Sequence, residues 1–317
     1  MTNSNKIKVA CFGEVLWDLF PGKEKSAGGA PFNVAYNLFK MGIDSRIISS
    51  VGDDNAGTEI IKKIENWNIP VDSIQINKNY PTSTVVATFD EHKEAHYDIV
   101  SNVAWDFIEV VAQDIETIKR EDALVFGSLA TRNPKSKNTL FTLLENSRFN
   151  VFDINLRKPH YDLGVIKDLL HRSHLAKFNK AELLLLMEFL GKQYASEEDI
   201  VSYLQDVFEL PEIIVSKGSK GALYANDGEL YLYPAVDIIV ADTVGSGDAF
   251  LAGFLSKRLD KTASIDDIMQ QAVTLGAYIT SKEGACPEYE ISDFQLFAET
   301  RNSHSQKKEV DNVIVNR

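Results

Sequence analysis

The sequence predicts an α/β fold of the doubly wound type: a mostly parallel sheet with helices on both faces and a small β-sheet beside it. Three observations carry this expectation. From Asp122 onward the apolar runs "DALVFGS", "NVFDIN", "HLAKFN" and "EIIVSKG" alternate with helix-length segments, the pattern of parallel strands joined by crossover helices. Nearer the N-terminus, "PTSTVVATFD" and "EHKEAHYDIV" alternate with period two about a polar tip and read as a hairpin. Two glycine-rich turns, "SAGGAPFNVA" and "DTVGSGDAF", each stand directly before a helical stretch. In open α/β sheets ligands sit beyond the carboxyl ends of the strands, where such turns fall.

Taken in order, "IKVACFGEVL" is a buried strand ending in Gly13. The helix in "GGAPFNVAYNLFKMG" has Pro31 in its first turn and Gly42 as a C-terminal cap. Strand "SRIISSVG" and helix "GTEIIKKIENW" follow, then the hairpin of 81–100. After the alternating region, "GALYANDGELYLYPA" forms a second hairpin turning at Asn226, Asp227 and Gly228. Helices over about 246–259 and 264–281 close the fold, and 301–317 is a polar tail. No repeat and no long linker interrupts the chain, so 1–317 reads as one domain. The small sheet draws on about 14–32 and 81–106.

Composition narrows the function. Lys plus Arg number 33 against 46 Asp plus Glu, a net charge of −13 that repels nucleic acid and anionic lipid. A small anionic ligand stays admissible, because local amides and a bound cation outweigh distant charge. Two cysteines, Cys11 and Cys286, make no disulfide framework. Glu14 and Asp18 break the N-terminal apolar run, which excludes a signal peptide. The run "LLLLM" at 183–187 is far shorter than the roughly 20 residues of a membrane span. A cytoplasmic protein is expected.

Standard nucleotide and hydrolase motifs fail. There is no GxxxxGK[ST], GxSxG or HExxH, and Phe250 stands where a dinucleotide fingerprint needs Gly or Ala. What remains is specific. Gly245 and Gly247 let successive N–H groups converge on one point, which the start of the next helix also addresses. That is an anion site containing no lysine. Asp248 beside it repels phosphate, yet suits proton abstraction from a hydroxyl attacking that phosphate. A simple helix cap is the alternative. Gly28, Gly29 and Asn33 in the other turn offer donors to a polyol, although an ordinary strand–helix turn uses the same residues. His92 and His96 straddle a polar hairpin tip and read as solvated residues rather than metal ligands.

From Lys6 to about Phe297 the chain resembles the ribokinase-like (PfkB) carbohydrate kinases. Its segments "GEVLWDLFPG", "GGAPFNVAYNLFKMG", "VGDDNAG", "FGSLA", "FDINLRKP" and "DTVGSGDAF" look most like the fructokinase branch. The resemblance implies a ribokinase-like fold and transfer of the ATP γ-phosphoryl to a sugar primary hydroxyl, foremost that of D-fructose. The same family phosphorylates 2-keto-3-deoxygluconate, ribose and nucleosides, and an inactive sugar-binding regulator would keep the fold. By resemblance Asp248 is the general base, and the amides of Gly245, Ser246, Gly247 and Asp248 form the anion hole, with Ser246 where Ala is common. The sugar site corresponds to Asp18, Gly29 and Asn33. Arg157 points toward the substrate, with an ion pair to Asp153 as the alternative.

Asn179 and Glu182 match an Asn-x-x-Glu segment serving Mg²⁺-bound water, and equally a capping box. Lys217, Gly218 and Gly221 correspond to the nucleotide turn. Asp242, Val244, Ile279, Lys282 and Gly284 correspond to a K⁺ loop, the first through its carboxylate and the others through carbonyls. By the same resemblance the 81–100 hairpin would be a lid excluding water, and a homodimer could form through its strand edges. One departure is visible: the lid ends in Trp105 and Asp106 without the Tyr-Arg pair common in fructokinases, which leaves the sugar open.

Overall fold

The computed structural model describes residues 6–19, 22, 24–89, 95–301 and 308–309. Chain order is β1 (Lys8–Phe12), β2 (Leu16–Leu19), β3 (Ser26–Gly28), α1 (Ala30–Lys40), β4 (Asp44–Gly52), α2 (Asn55–Asn66), β5 (Ile74–Asn77), β6 (Ser83–Phe89) and β7 (Ala95–Ile99). Then come α3 (Ala112–Ile118), β8 (Ala123–Gly127), α4 (Pro134–Leu144), β9 (Asn150–Asp153), α5 (Leu163–His171), β10 (Leu175–Asn179), α6 (Lys180–Leu190) and α7 (Glu197–Phe208). The rest is β11 (Glu212–Ser216), β12 (Ala222–Asn226), β13 (Glu229–Tyr233), α8 (Ser246–Arg258), α9 (Ile265–Thr280), α10 (Ile291–Arg301) and β14 (Lys308–Glu309).

The large sheet runs β14-β13-β12-β11-β10-β9-β8-β1-β4-β5. Its strands from β11 to β5 are parallel, and β12 to β14 add an antiparallel edge. The small sheet, β3-β2-β6-β7, is separate. Period-two alternation assigns each strand's side chains to one of two cores. Cys11, Val151, Leu175 and Ile214 pack beneath α1, α2, α8 and α9. Phe12, Phe152, Phe178 and Val215 pack beneath α4, α5, α6 and α7. With both faces covered, the central strands become near-continuous apolar runs, the feature that makes them legible in the sequence.

Local signals set the boundaries. Pro31 enters the first turn of α1, and Gly42 follows its end at φ 83 with its N–H on Phe39 O. The helix expected at "GTEIIKKIENW" begins earlier, at Asn55, because Asp54 caps it by accepting from Gly57 N at 2.8 Å. The expectation that two helices close the fold is corrected: α10 follows α9 and buries Phe294 against Tyr278. Phe297 and Ala298 add partly buried contacts, so the apolar face of α10 is short and set among polar residues. The short β5 also escaped the pattern, having half-buried residues on an edge. Of the expected tail, Arg301 ends α10 and β14 pairs with β13, while its other residues lie outside the described set. His92 and the side chain of His96 lie outside it too. Among the described residues no helix is long and apolar enough to cross a membrane.

The small sheet is rooted by one buried ion pair. Arg132, just beyond β8, donates to both oxygens of Asp106 at 2.7 and 2.9 Å, and to the carbonyls of Ile99 and Val100 where β7 ends. Its guanidinium also lies 4.1 Å from the Trp105 ring centre. Removing one partner of such a pair strands a buried charge. Asp106→Ala should therefore lower the unfolding free energy by about 3 kcal/mol, measured by urea denaturation; an unchanged midpoint would show the root to be elsewhere.

Candidate active site

The parallel strands end along one edge of the large sheet, and a cleft of about 840 Å³ opens there between that edge, α8, α9 and the small sheet. At one end, β1 runs into Glu14 and β2 carries Asp18. The turn "AGGA" must pass close over both. A Cβ on Gly28 would lie 2.3 Å from Asp18 Oδ2. Gly29, at φ 115, would place one 2.2 Å from Glu14 O. Gly29 caps α1 without a side chain, and Glu14 Oε1 supplies the missing acceptor by taking the Ala30 N–H at 3.2 Å. Burial pushes the Glu14 carboxyl up to about 7, although the Ala30 hydrogen bond and the Arg157 charge oppose it.

The second turn meets the first. Gly245, at φ 74, is the N-cap of α8 and lies against Ala285, whose Cβ would be 2.4 Å from any Cβ added there. The Ser246 N–H reaches Thr243 O at 3.3 Å, while those of Gly247 and Asp248, in the first turn, have no intrahelical acceptor. Asp248 Oδ2 accepts from Asn33 Nδ2 at 2.8 Å, joining turns 215 positions apart. Asn33 Oδ1 in turn accepts from Cys286 Sγ at 3.4 Å. Burial raises the Asp248 carboxyl to about 6, helped by the Asp153 charge and opposed by Asn33, Lys177 and Arg157. Asp18 also reaches about 6, through burial first.

The cleft centre decides against one alternative and corrects one expectation. The pairing considered for Arg157 with Asp153 is not formed: Arg157 lines the cleft, and Asp153 is held by Lys177 at 2.9 and 3.0 Å. The anion site expected to contain no lysine has Lys177 beside it, with a Cβ position on Gly247 only 3.2 Å from Nζ. Asp153 and Lys177 are register partners on β9 and β10, both facing α8. Reading the sequence missed Lys177 and Glu14, though each is a charge inside an otherwise apolar run. Glu182 Oε2 accepts from Asn179 N and Asn179 Oδ1 from Glu182 N, a capping box; Glu182 Oε1 accepts from Leu156 N.

At the far end, Gly218 and Gly221 line the cleft with Val236, Ile238, Val273 and Ala277. Lys217 does not: its ammonium pairs with Glu197 at 3.1 Å. Asp242 links the two loops of the expected cation site, accepting from Val244 N at 3.0 Å and Gly284 N at 3.2 Å. Ile279 is fully buried near the end of α9, and its carbonyl accepts from Lys282 N at 2.9 Å.

The cleft brings a carboxylate and unpaired helix-start amides together in one polar space, and its relatives give the class: the enzyme is a phosphotransferase with an alcohol acceptor. Residues 6–291 match the pfkB family of carbohydrate kinases, and the chain belongs to that family. It is 28% identical over 295 residues to a fructokinase of Klebsiella pneumoniae, covering 88% of this chain and 94% of that one. A Salmonella typhimurium fructokinase is 27% identical over 300 residues, with coverage of 88% and 94%. Vibrio cholerae fructokinase, solved with fructose, ADP and calcium, superposes with a TM-score of 0.79 at 23% identity, over 92% of this chain and 99% of that one. A putative ribokinase II from E. coli shares the fold at TM-score 0.80 and 18% identity, over 93% and 100%.

The turn geometry is testable. Gly245→Ala puts a side chain at positive φ and into Ala285, a strain of about 1–3 kcal/mol. Its thermal midpoint should fall and turnover should drop at least about tenfold, since a shift of about 1 Å at a reacting site costs that and more. Wild-type turnover would show that the turn is not under this constraint.

Proposed function

We propose that the protein is an ATP-dependent fructokinase in which Asp248 is the general base. The observation that carries this reading is the Asn33–Asp248 hydrogen bond, which puts the polyol-type donors and the proton acceptor within one contact of the α8 start. The fructose assignment is supported by the fructokinases among its relatives. The sugar would occupy the Asp18, Gly29, Asn33 and Arg157 end, beneath the small sheet, whose Leu16, Val85 and Ile99 wall the cleft and would exclude water. Adenine would lie against Val236, Ile238, Val273 and Ala277, with Gly218 and Gly221 along the nucleotide.

In the step itself the sugar hydroxyl oxygen attacks the γ-phosphorus and its proton passes to the Asp248 carboxylate. The bond from the γ-phosphorus to the β–γ bridging oxygen breaks, and ADP leaves with the electron pair. The N–H groups of Gly247 and Asp248, with Gly245 and Ser246 shaping the turn, would face the charge on the transferring group. Mg²⁺ would neutralise phosphate charge. Glu182, a buried acid at the cleft wall with both oxygens already accepting N–H groups, fits a role through ordered water rather than direct ligation. For a monovalent cation, Asp242 retains lone pairs beyond its two hydrogen bonds and fits as one ligand, beside Val244 and Gly284. The Ile279 carbonyl already accepts one N–H.

Asp248→Asn should lower kcat by about 10²–10⁴ with the fold intact, measured by coupled ADP release with fructose. Turnover within a few-fold of wild type would remove Asp248 from the role. Because its carboxyl sits raised at about 6 and acts unprotonated, kcat/KM should be flat above that pH and fall as pH drops through it. A panel of fructose, ribose, 2-keto-3-deoxygluconate and nucleosides fixes the acceptor, and higher kcat/KM on ribose would displace fructose.

A further inference from the structure

Two cations line the cleft among the described residues, Arg157 and Lys177, against the acids Glu14, Asp18, Asp153, Glu182, Asp237 and Asp248. A nucleoside triphosphate must enter this acidic space, so the position of each cation matters. Arg157 stands at the sugar end. Lys177 is 5% exposed, and its partner Asp153 is 4% exposed. A buried ion pair is a poor source of stability compared with apolar packing, yet here one joins the end of β9 to the middle of β10 beside the glycine turn. Of the three hydrogens on the ammonium, Asp153 takes two. The third is left on a side chain that lines the cleft and abuts Gly247. Any side chain at 247 would crowd Nζ, so the glycine keeps the ammonium beside the helix start.

Building on the kinase reading above, we propose that Lys177 is a catalytic residue: its ammonium contacts the transferring phosphoryl group and stabilises the charge that group carries as it moves from ADP to the sugar. Asp153 is the positioning residue that holds the ammonium there. Lys177 takes no proton in the step. Although burial opposes it, the neighbouring Asp153 and Glu182 charges and the Asp153 hydrogen bonds raise the Lys177 pKa, so the group is a full cation at neutral pH.

An indirect role through Asp248, whose acidity Lys177 also affects, makes a different forecast. Lys177→Met should lower kcat about 10²–10³-fold, the usual loss on removing one charge-stabilising donor, and should do so at every pH from about 6 to 9. ADP should bind within about threefold of wild type, while ADP with aluminium fluoride, a mimic of the moving phosphoryl group, binds about a hundredfold more weakly. Recovery of kcat to within about threefold by pH 9 would show tuning of Asp248 instead and overturn the proposal. Because Lys177→Met strands the Asp153 charge, the double variant Lys177→Met with Asp153→Asn is measured alongside, with its fold checked by circular dichroism. A folded double variant within about threefold of wild-type kcat would overturn the proposal by assigning the pair to structure. Wild type and Asp248→Asn run in the same assay. If wild type phosphorylates no sugar, the kinase reading fails and the Lys177 role falls with it. If Asp248→Asn collapses while the Lys177 variants do not, Lys177 alone is excluded.

Discussion

A carboxylate at the first turn of α8 is the constraint around which the rest is arranged. To act on a hydroxyl as proposed, Asp248 would have to stay anionic, partly shielded from water and correctly aimed, all beside groups suited to phosphate. Burial alone would protonate it, and here burial lifts its pKa to about 6. What keeps it ionised at neutral pH is local: the Asn33 amide at 2.8 Å and the charges of Lys177 and Arg157. Each comes from a different part of the chain, respectively α1, β10 and the segment after β9. The fold sets the surroundings of Asp248 by bringing those three segments to one edge of one sheet.

That edge also explains the glycines. Helix α1 can present Asn33 to Asp248 only if the preceding turn passes directly over Glu14 and Asp18, leaving no room for a Cβ at 28 or 29. The same helix grips the loop after α9: Tyr36 donates to Pro287 O at 2.6 Å and Lys40 to Tyr289 O at 2.7 Å. Ala285 in that loop packs on Gly245. Helix α1, the loop carrying Gly284 and the turn before α8 therefore share contacts, and a displacement of one is felt at the others.

Much of this arrangement is legible in the amino-acid sequence. Buried parallel strands announce themselves as apolar runs, and the turns "SAGGAPFN" and "DTVGSGDAF" carry their chemistry in adjacent residues. Pairings between distant strands leave no such trace. That Asp153 belongs to Lys177 rather than Arg157 follows from register, since residues 24 apart become neighbours only when β9 and β10 align. Glu14 serving as a cap for α1 depends equally on tertiary placement, because the capping acceptor is usually the residue before the helix. Helix α10 is hidden for another reason: its apolar face is only Phe294, Phe297 and Ala298, of which Phe294 alone is fully buried.

The charge balance of the cleft follows from the same geometry. Asp153 raises the Asp248 pKa and Lys177 lowers it. The two effects oppose each other, that of Asp153 being the larger. An isolated lysine there would strengthen phosphate attraction at the expense of the base, making it a weaker proton acceptor. An isolated aspartate would do the reverse and repel the nucleotide as well. Pairing them on adjacent strands would serve both demands of the proposed reaction: Lys177 opposes the Asp153 effect on Asp248, and its ammonium stands beside Gly247. On the proposed mechanism neither charge alone suits both halves of the reaction, which gives the buried pair a role besides stability.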